Sequence, residues 1–228
     1  MEITALQNIS YGLYLVTSRD CEDSYDCENE HDCDDDGECV GTNGARCNFG
    51  CIINTVSQIT DKPLVELAIA INRCNRTHDA IVNSKLLTIS VLDTTTPYSL
   101  IERFGFKTGH DEDKFVGFDS VAANAQGLLY LTKHANAYIS CYVVDMIEFS
   151  THTMFKVIMS GQEVLNSNPS LTYSHYHAHV KPNPASGWMC TICSYVHESS
   201  ILPEDIICPL CKFGADVFIK YDKSKEGN

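Results

Sequence analysis

Trp188-Met-Cys190-Thr-Ile-Cys193 and Leu202-Pro-Glu-Asp-Ile-Ile-Cys208-Pro-Leu-Cys211 decide how this 228-residue chain is organised. Each stretch ends in a Cys-x-x-Cys turn, and fourteen residues separate Cys193 from Cys208. The segment from Trp188 to Phe218 is too short to bury a core of its own, so it needs a staple. Two such turns can place four thiolates at the corners of a tetrahedron, the geometry of mononuclear iron or zinc. Cys190, Cys193, Cys208 and Cys211 are therefore expected to hold one metal ion, whose binding free energy is also the folding free energy of the segment. Spacing alone leaves the metal open. Zinc would be structural and redox-silent, whereas iron, cycling between Fe2+ and Fe3+, would carry an electron.

Working upstream, residues 176–187 hold Pro182 and Pro184 among polar residues and read as a linker. Before it, residues 1–175 supply a run of short apolar stretches. Tyr11–Thr17, Cys51–Val56, Leu64–Ile71, Leu86–Leu92, Gly127–Leu131, Ala137–Val144 and Met154–Met159 all read as strands, several of them rich in β-branched side chains. The helices are brief: one opening at Asn75–Asp79 and running through Ile81, with the Thr77 hydroxyl as a candidate cap, and one from Thr96 to Phe104. Phe106–Phe118 is polar and glycine-bearing and reads as a surface excursion. Seven or so short strands without a βαβ rhythm predict a mainly β fold, a barrel in preference to a doubly wound sheet. The division expected is a barrel over 1–175, a linker over 176–187 and a metal-knuckle domain over 188–221.

The formal charge of −14 argues against phosphate-backbone binding, so no nucleic acid is expected as a partner. Eleven carboxylates and no Lys or Arg fall between Asp20 and Glu38, which leaves nineteen acids against sixteen bases elsewhere. The acidity thus belongs to one insertion, about residues 20–47, in a nearly neutral barrel. No stretch approaches the roughly 18–20 apolar residues of a membrane helix, and no basic region precedes an apolar core at the N-terminus. The expected location is cytoplasmic, with no membrane partner. Six of the twelve cysteines lie from Cys21 to Cys51 and four from Cys190 to Cys211. Cys74, beside Arg73, reads as a buried bystander thiol and Cys141 as a core residue.

Trp188, Tyr195, Leu202-Pro203-Glu204-Asp205, Cys208-Pro209 and Phe218 surround the four cysteines as they do in rubredoxin, which this segment closely resembles in its shortened, appended form. The resemblance implies iron, shielded by a small core of Trp188, Tyr195 and Phe218. Ser194 and Lys212 stand where glycine usually follows each knuckle, and they enter the left-handed region only at a cost.

A second set of motifs lies upstream. Tyr11-Gly-Leu-Tyr, Gly50-Cys-Ile-Ile-Asn-Thr-Val-Ser-Gln-Ile-Thr60 with Pro63, Asn72-Arg-Cys-Asn-Arg-Thr-His-Asp79, Phe104-Gly-Phe-Lys-Thr-Gly109, Asp113-Lys-Phe115 and Thr151-His-Thr-Met-Phe155 resemble the flavin reductase family. The match is to its flavoredoxin-type branch of FMN-binding split barrels, usually homodimers. A split barrel followed by a rubredoxin segment resembles the fusions called high-molecular-weight rubredoxins. That resemblance implies electron flow from NADH or NADPH through FMN and iron to a flavodiiron oxygen or nitric oxide reductase. The alternative is an NAD(P)H-dependent flavin or ferric reductase with structural zinc.

FMN phosphate calls for amides, hydroxyls and a cation. Thr60, Arg73, Asn75 and Thr77 are the candidates, while Asn54 and Thr55 would meet the isoalloxazine or ribityl edge. Each is also a plausible plain turn or cap residue; Arg73 is the strongest individual choice, and His78 reads as a capping or packing residue. No general acid or base is required, because hydride transfer is the cofactor's chemistry. No Gly-x-Gly-x-x-Gly fingerprint is present, which argues against a Rossmann NAD domain but not against transient nicotinamide stacking on the flavin. His175, His177 and His179 would share one face of an extended chain. In the insertion, Asp32-x-Asp34-x-Asp36-Gly37 begins like a calcium loop, but Asn43 replaces the bidentate Glu; a flexible acidic loop, with a possible steering role, is the simpler reading.

Overall fold

A computed structural model describes residues 9–20, 48–110, 112–182, 184–192, 195–209 and 212–222. Residues 21–47 of the acidic insertion, and Cys193, Ser194 and Cys211, for which the sequence carries expectations, lie outside the described residues. The described chain divides into two compact units, residues 10–177 and a smaller unit that includes residues 178–222.

The larger unit is built on β1 (Tyr14–Arg19), β2 (Asn48–Ile53), β3 (Val56–Thr60), β4 (Glu66–Asn72), β5 (Leu86–Leu92), β8 (Ala135–Glu148) and β9 (His152–Val164). These seven form one sheet in the order β2-β1-β5-β8-β9-β4-β3. The outer strands β2 and β3 are consecutive in sequence, joined only by Asn54 and Thr55. Laid flat, the outer members of such a sheet would stand about 29 Å apart (six gaps of roughly 4.8 Å). Ile53 and Val56 are three Cα steps apart, which span at most about 11 Å. The sheet must therefore curl until its edges meet without pairing: a barrel split along the β2/β3 seam.

Strand alternation fills the interior. Val16, Cys51, Ile53, Leu67, Ile69, Ile71, Leu87, Ile89, Cys141, Phe155 and Val157 point inward, and Ile81 joins them from helix α1 (Arg76–Ser84). The opposite face of β5 is polar but buried, at Thr88 and Ser90. It is covered by a two-stranded ribbon, β6 (Val121–Ala123) and β7 (Leu129–Leu131). Asn124 Nδ2 donates to Thr88 Oγ1 at 2.9 Å and to Ser140 Oγ at 2.8 Å, and Leu131 N–H donates to Ser90 Oγ at 3.1 Å. Every polar group named there is satisfied, so the second face is buried without the penalty of an unmade bond.

Two sequence expectations change here. Phe106–Phe118 is not a simple surface excursion, because Lys114 within it is only 6% exposed. Its ammonium donates to the carbonyls of Gly50 (3.1 Å) and Phe104 (3.0 Å). Phe104 in turn packs against Phe115 and Phe118. The segment before residue 181 is helical, with α3 (Tyr173–His175) running into a π-turn over Tyr176–Val180. His175, His177 and His179 therefore do not line one face of a strand.

In the smaller unit, β10 (Ser186–Cys190) lies between β11 (Val196–His197) and β12 (Phe218–Asp222). Cys190, Cys208 and Phe218 form its buried centre, packed by Trp188, Tyr195, Leu202, Ile206 and Val217. The three aromatic residues expected around the metal are all in this cluster.

Candidate functional site

β4 ends at Asn72, and a tight turn leads into α1. Asn72 Oδ1 accepts the Cys74 N–H at 2.9 Å, and the Asn72 carbonyl accepts the Asn75 N–H at 3.1 Å. Short polar side chains turn a backbone in this way by standing in for a backbone acceptor. Asn75 takes the N-cap position in extended conformation, and its side chain makes no capping bond to the helix. The positive end of the α1 dipole is thus presented to the surface beside Arg73 and Asn75. Arg73 is 42% exposed; it donates to the Ser150 carbonyl at 2.6 Å and faces Glu148 at 3.5 Å. Its guanidinium is therefore held between the end of α1 and the β8–β9 turn.

Asn54 and Thr55, at the seam, come to the same end of β4. The Thr55 carbonyl accepts the Ala70 N–H at 3.3 Å, Thr55 Oγ1 donates to Asn54 Oδ1 at 3.0 Å, and Val56 is in register with Ile69. His152, opposite Asn72 in the ladder, closes the group, with its imidazole pushed toward the neutral form by burial. The structure thus gathers Asn54, Thr55, Arg73 and Asn75 at one end of the barrel.

Two predicted residues do not join them through their side chains. Thr60 pairs with Glu66 at the far end of β4, about 20 Å away at roughly 3.3 Å per residue. Its hydroxyl donates to the Leu64 carbonyl at 2.7 Å and accepts the Glu66 N–H at 3.1 Å, so it closes a hairpin turn. Thr77 is 2% exposed and is not the helix cap. Its hydroxyl is turned toward the Cys51 thiol and not toward the surface. His78 packs, as expected, with its ring against Phe155 and Nε2 at 2.9 Å from Thr153 Oγ1.

The thiols of the barrel divide by burial. Burial pushes Cys51 up to about 11, against opposing pulls from the Lys114 ammonium and the Thr77 hydroxyl, and Cys141 up to about 12. Cys74 is exposed, not buried as the sequence suggested, because it sits at the apex of the Asn72–Asn75 turn. Sequence reasoning missed Lys114. The signal was a lysine followed directly by Phe115 and Val116, inside a motif already singled out.

At the second centre, Cys190 and Cys208 are both 0% exposed. Cys190 N–H donates to the Tyr195 carbonyl and Cys208 N–H to the Phe213 carbonyl, both at 2.8 Å. The two bonds span the same interval, from each cysteine to the fifth residue after it. Lys212 has φ +63°, so the second knuckle makes the left-handed turn with a lysine in the glycine position. Two soft sulfur donors buried in an aromatic pocket of about thirty residues fit a thiolate-bound metal.

Comparison with known proteins agrees with both halves. Residues 6–181 match the flavin reductase like domain, and residues 188–219 match the rubrerythrin, rubredoxin-like domain. The chain belongs to the flavin reductase-like family and carries a rubredoxin-like domain at its C-terminal end. It is 31% identical to a high molecular weight rubredoxin of Moorella thermoacetica, over 96% of this chain and 99% of that one. It is 36% identical to a ferric-chelate reductase (NAD(P)H) of Archaeoglobus fulgidus, over 78% of this chain and 89% of that one. Among solved structures, an NADH:FAD oxidoreductase of Streptomyces globisporus shares the fold, with a TM-score of 0.55 at 15% identity, covering 75% of this chain and 85% of that one. The chain is a flavin-dependent reductase of electron-transfer type, with a flavin implied for the barrel and an iron site for the small domain.

Proposed function

We propose that this protein takes electrons from NADH or NADPH onto FMN in the barrel and passes them singly through an Fe(Cys)4 centre to a flavodiiron-type oxygen or nitric oxide reductase. A flavin accepts a hydride and releases single electrons, and a rubredoxin-type iron stores one at a time. The observation that carries the reading is the union in one chain of a split barrel with a polar, cationic end and a buried thiolate knuckle domain. Arg73 and the amides at the start of α1 hold the phosphate, with Asn75 beside them. Asn54 and Thr55 meet the polar edge of the ring system. Cys190, Cys193, Cys208 and Cys211 bind iron.

The working division is a barrel over 1–175, a linker over 176–187 and an electron-carrying domain over 188–221, acting in the cytoplasm as a homodimer. The outward face of β3, β4, β8 and β9 supports the dimer. It bears a cleft of about 390 Å³ lined by Ile59, Ala68, Ile147 and Met154, with Lys156, Glu66 and Asp145. Exposed apolar patches of that kind mark interaction surfaces, and charges of both signs suit a self-complementary contact.

Anaerobic stopped-flow reduction of the full chain tests the route. With one dinucleotide in excess, the flavin absorption bleaches first and the ferric–thiolate absorption follows at a rate independent of protein concentration. Flavin bleaching with zinc in place of iron would instead establish the flavin or ferric reductase reading. A protein that stays colourless after reconstitution with FMN and iron would defeat both.

A further inference from the structure

Lys114 is a lysine in an unusual place. Its side chain is 6% exposed, and two carbonyl oxygens, those of Gly50 and Phe104, fix the ammonium at 3.1 and 3.0 Å. Lysine is seldom buried, since an ammonium removed from water costs several kcal/mol unless it is repaid elsewhere. Two observations place this charge behind the first turn of α1. A Cβ built on Gly109 would lie 3.4 Å from Arg76 Cβ and 3.9 Å from Lys114 Cε, so both side chains flank Gly109. Cys51, in the adjoining β2, feels the Lys114 charge and takes the Thr77 hydroxyl as a bond partner. Lys114, Cys51, Thr77 and Arg76 are thus one cluster packed under the helix start.

We infer that Lys114 is a positioning residue for an anionic cofactor: a buried fixed charge that adds to the α1 dipole and sets the affinity of the site for a phosphate it does not touch. The inference rests on the reading that the flavin phosphate docks at the start of α1. Arg73 is half in solvent and faces Glu148; Arg76 faces Asp20 at 3.4 Å. The field of exposed Arg73 is screened by salt and that of Arg76, 12% exposed, is offset by Asp20, whereas a charge inside the barrel wall is screened much less. Lys114 also ties β2 to the turn after α2 (Tyr98–Ile101), so its charge cannot swing away when the cofactor leaves.

The test compares FMN with riboflavin, which lacks the phosphate, on flavin-stripped full-length protein carrying Lys114→Gln or Lys114→Met. Gln keeps a donor for the carbonyls; Met keeps the volume. Two unit charges about 10 Å apart at an effective dielectric of about 20 change binding by more than tenfold. Both variants should therefore raise the FMN Kd at least about tenfold while leaving riboflavin within about twofold. Parallel weakening of both ligands, no weakening of FMN, or loss of the fold in both variants would overturn the inference and assign the ammonium to barrel packing. Wild-type protein that binds riboflavin as tightly as FMN would instead show that the phosphate reading beneath it is wrong.

Discussion

Asp93 is the carboxylate whose removal the barrel should feel most sharply. It is 1% exposed and follows β5. One oxygen accepts the Thr95 N–H at 2.8 Å and the Thr95 hydroxyl at 2.6 Å; the other accepts Asn168 Nδ2 at 3.1 Å and Asn166 Nδ2 at 3.4 Å. Those bonds tie the end of β5 to the segment that carries buried Leu171 back into the barrel. Burial alone would raise the acid, but the hydrogen bonds from Thr95, Asn168 and Asn166 outweigh it and hold Asp93 below its ordinary value of 3.8. Asp93→Asn keeps the first oxygen and turns an NH2 toward two amide NH2 groups. Asn166 cannot rotate in compensation without losing its bonds to the Ala135 carbonyl and the Asn168 N–H. Two charge-assisted bonds at about 1.5 kcal/mol each give a loss of about 3 kcal/mol, or roughly 10 °C in Tm for a unit of this size. A lowered folded-state acid contributes stability above the unfolded value, near 3.9, and loses it as pH falls through the folded value. Urea titrations of wild type and Asp93→Asn from pH 7 to pH 3 should show a gap of about 3 kcal/mol that is constant down to about pH 5 and begins to narrow below about pH 4. A gap under about 1 kcal/mol at pH 7, or one that widens as the pH falls below about 4, would refute the argument.

Lys85 caps α1 at φ +60°, in the left-handed region, with its N–H on the Ile81 carbonyl; Lys85→Gly should stabilise the barrel by about 1 kcal/mol, read by urea titration. Arg73→Ala should raise the FMN Kd about tenfold and leave Tm of the flavin-free protein within about 2 °C, since its ion pair is largely exposed. Cys208→Ser should abolish iron binding, measured by metal analysis, and unfold the small unit while the barrel's melting transition stays; loss of both transitions would show the units are not independent. Thiol alkylation at pH 8 followed by peptide mapping should label Cys74 and spare Cys51 and Cys141 until the protein is denatured, because their thiols are buried and held protonated.

The parts of this fold that show in the sequence are those where burial and residue type agree. β5 is buried along most of its length and rich in β-branched side chains, the first half of β8 is at least half-buried, and the four-cysteine spacing fits only a few geometries. β3 escaped because Val56-Ser-Gln-Ile-Thr60 is an edge strand whose middle three residues are exposed, so no buried face imposes alternation. The reading of β8 stopped at Val144 because Asp145 and Glu148 look like a turn, yet the strand runs on to Glu148 with exposed Met146 and Ile147. At the site, turn chemistry around Asn72 was visible in its polar run. The destination of each side chain was not: Thr60 and Thr77 have the right atoms but spend them on Leu64, Glu66 and Cys51. Lys114 was missed for the opposite reason, since a lysine in a polar stretch reads as solvated.

Arg19 and Asn48 are directly paired across β1 and β2. Asp20, one residue further on, is anchored by Arg76 at 3.4 Å and by Asn83 at 2.9 Å. Whatever peptide fills the interval between them enters and leaves through neighbouring backbone positions fixed by the barrel itself. Loop closure then depends only weakly on its length, about 0.6 kcal/mol per doubling. Asp20 and Asn48 thus mark a place where peptides of different length can be joined between β1 and β2 at a small entropic cost. A reporter peptide or a partner-recruiting segment joined at that point would have its two ends held at positions that β1 and β2 fix.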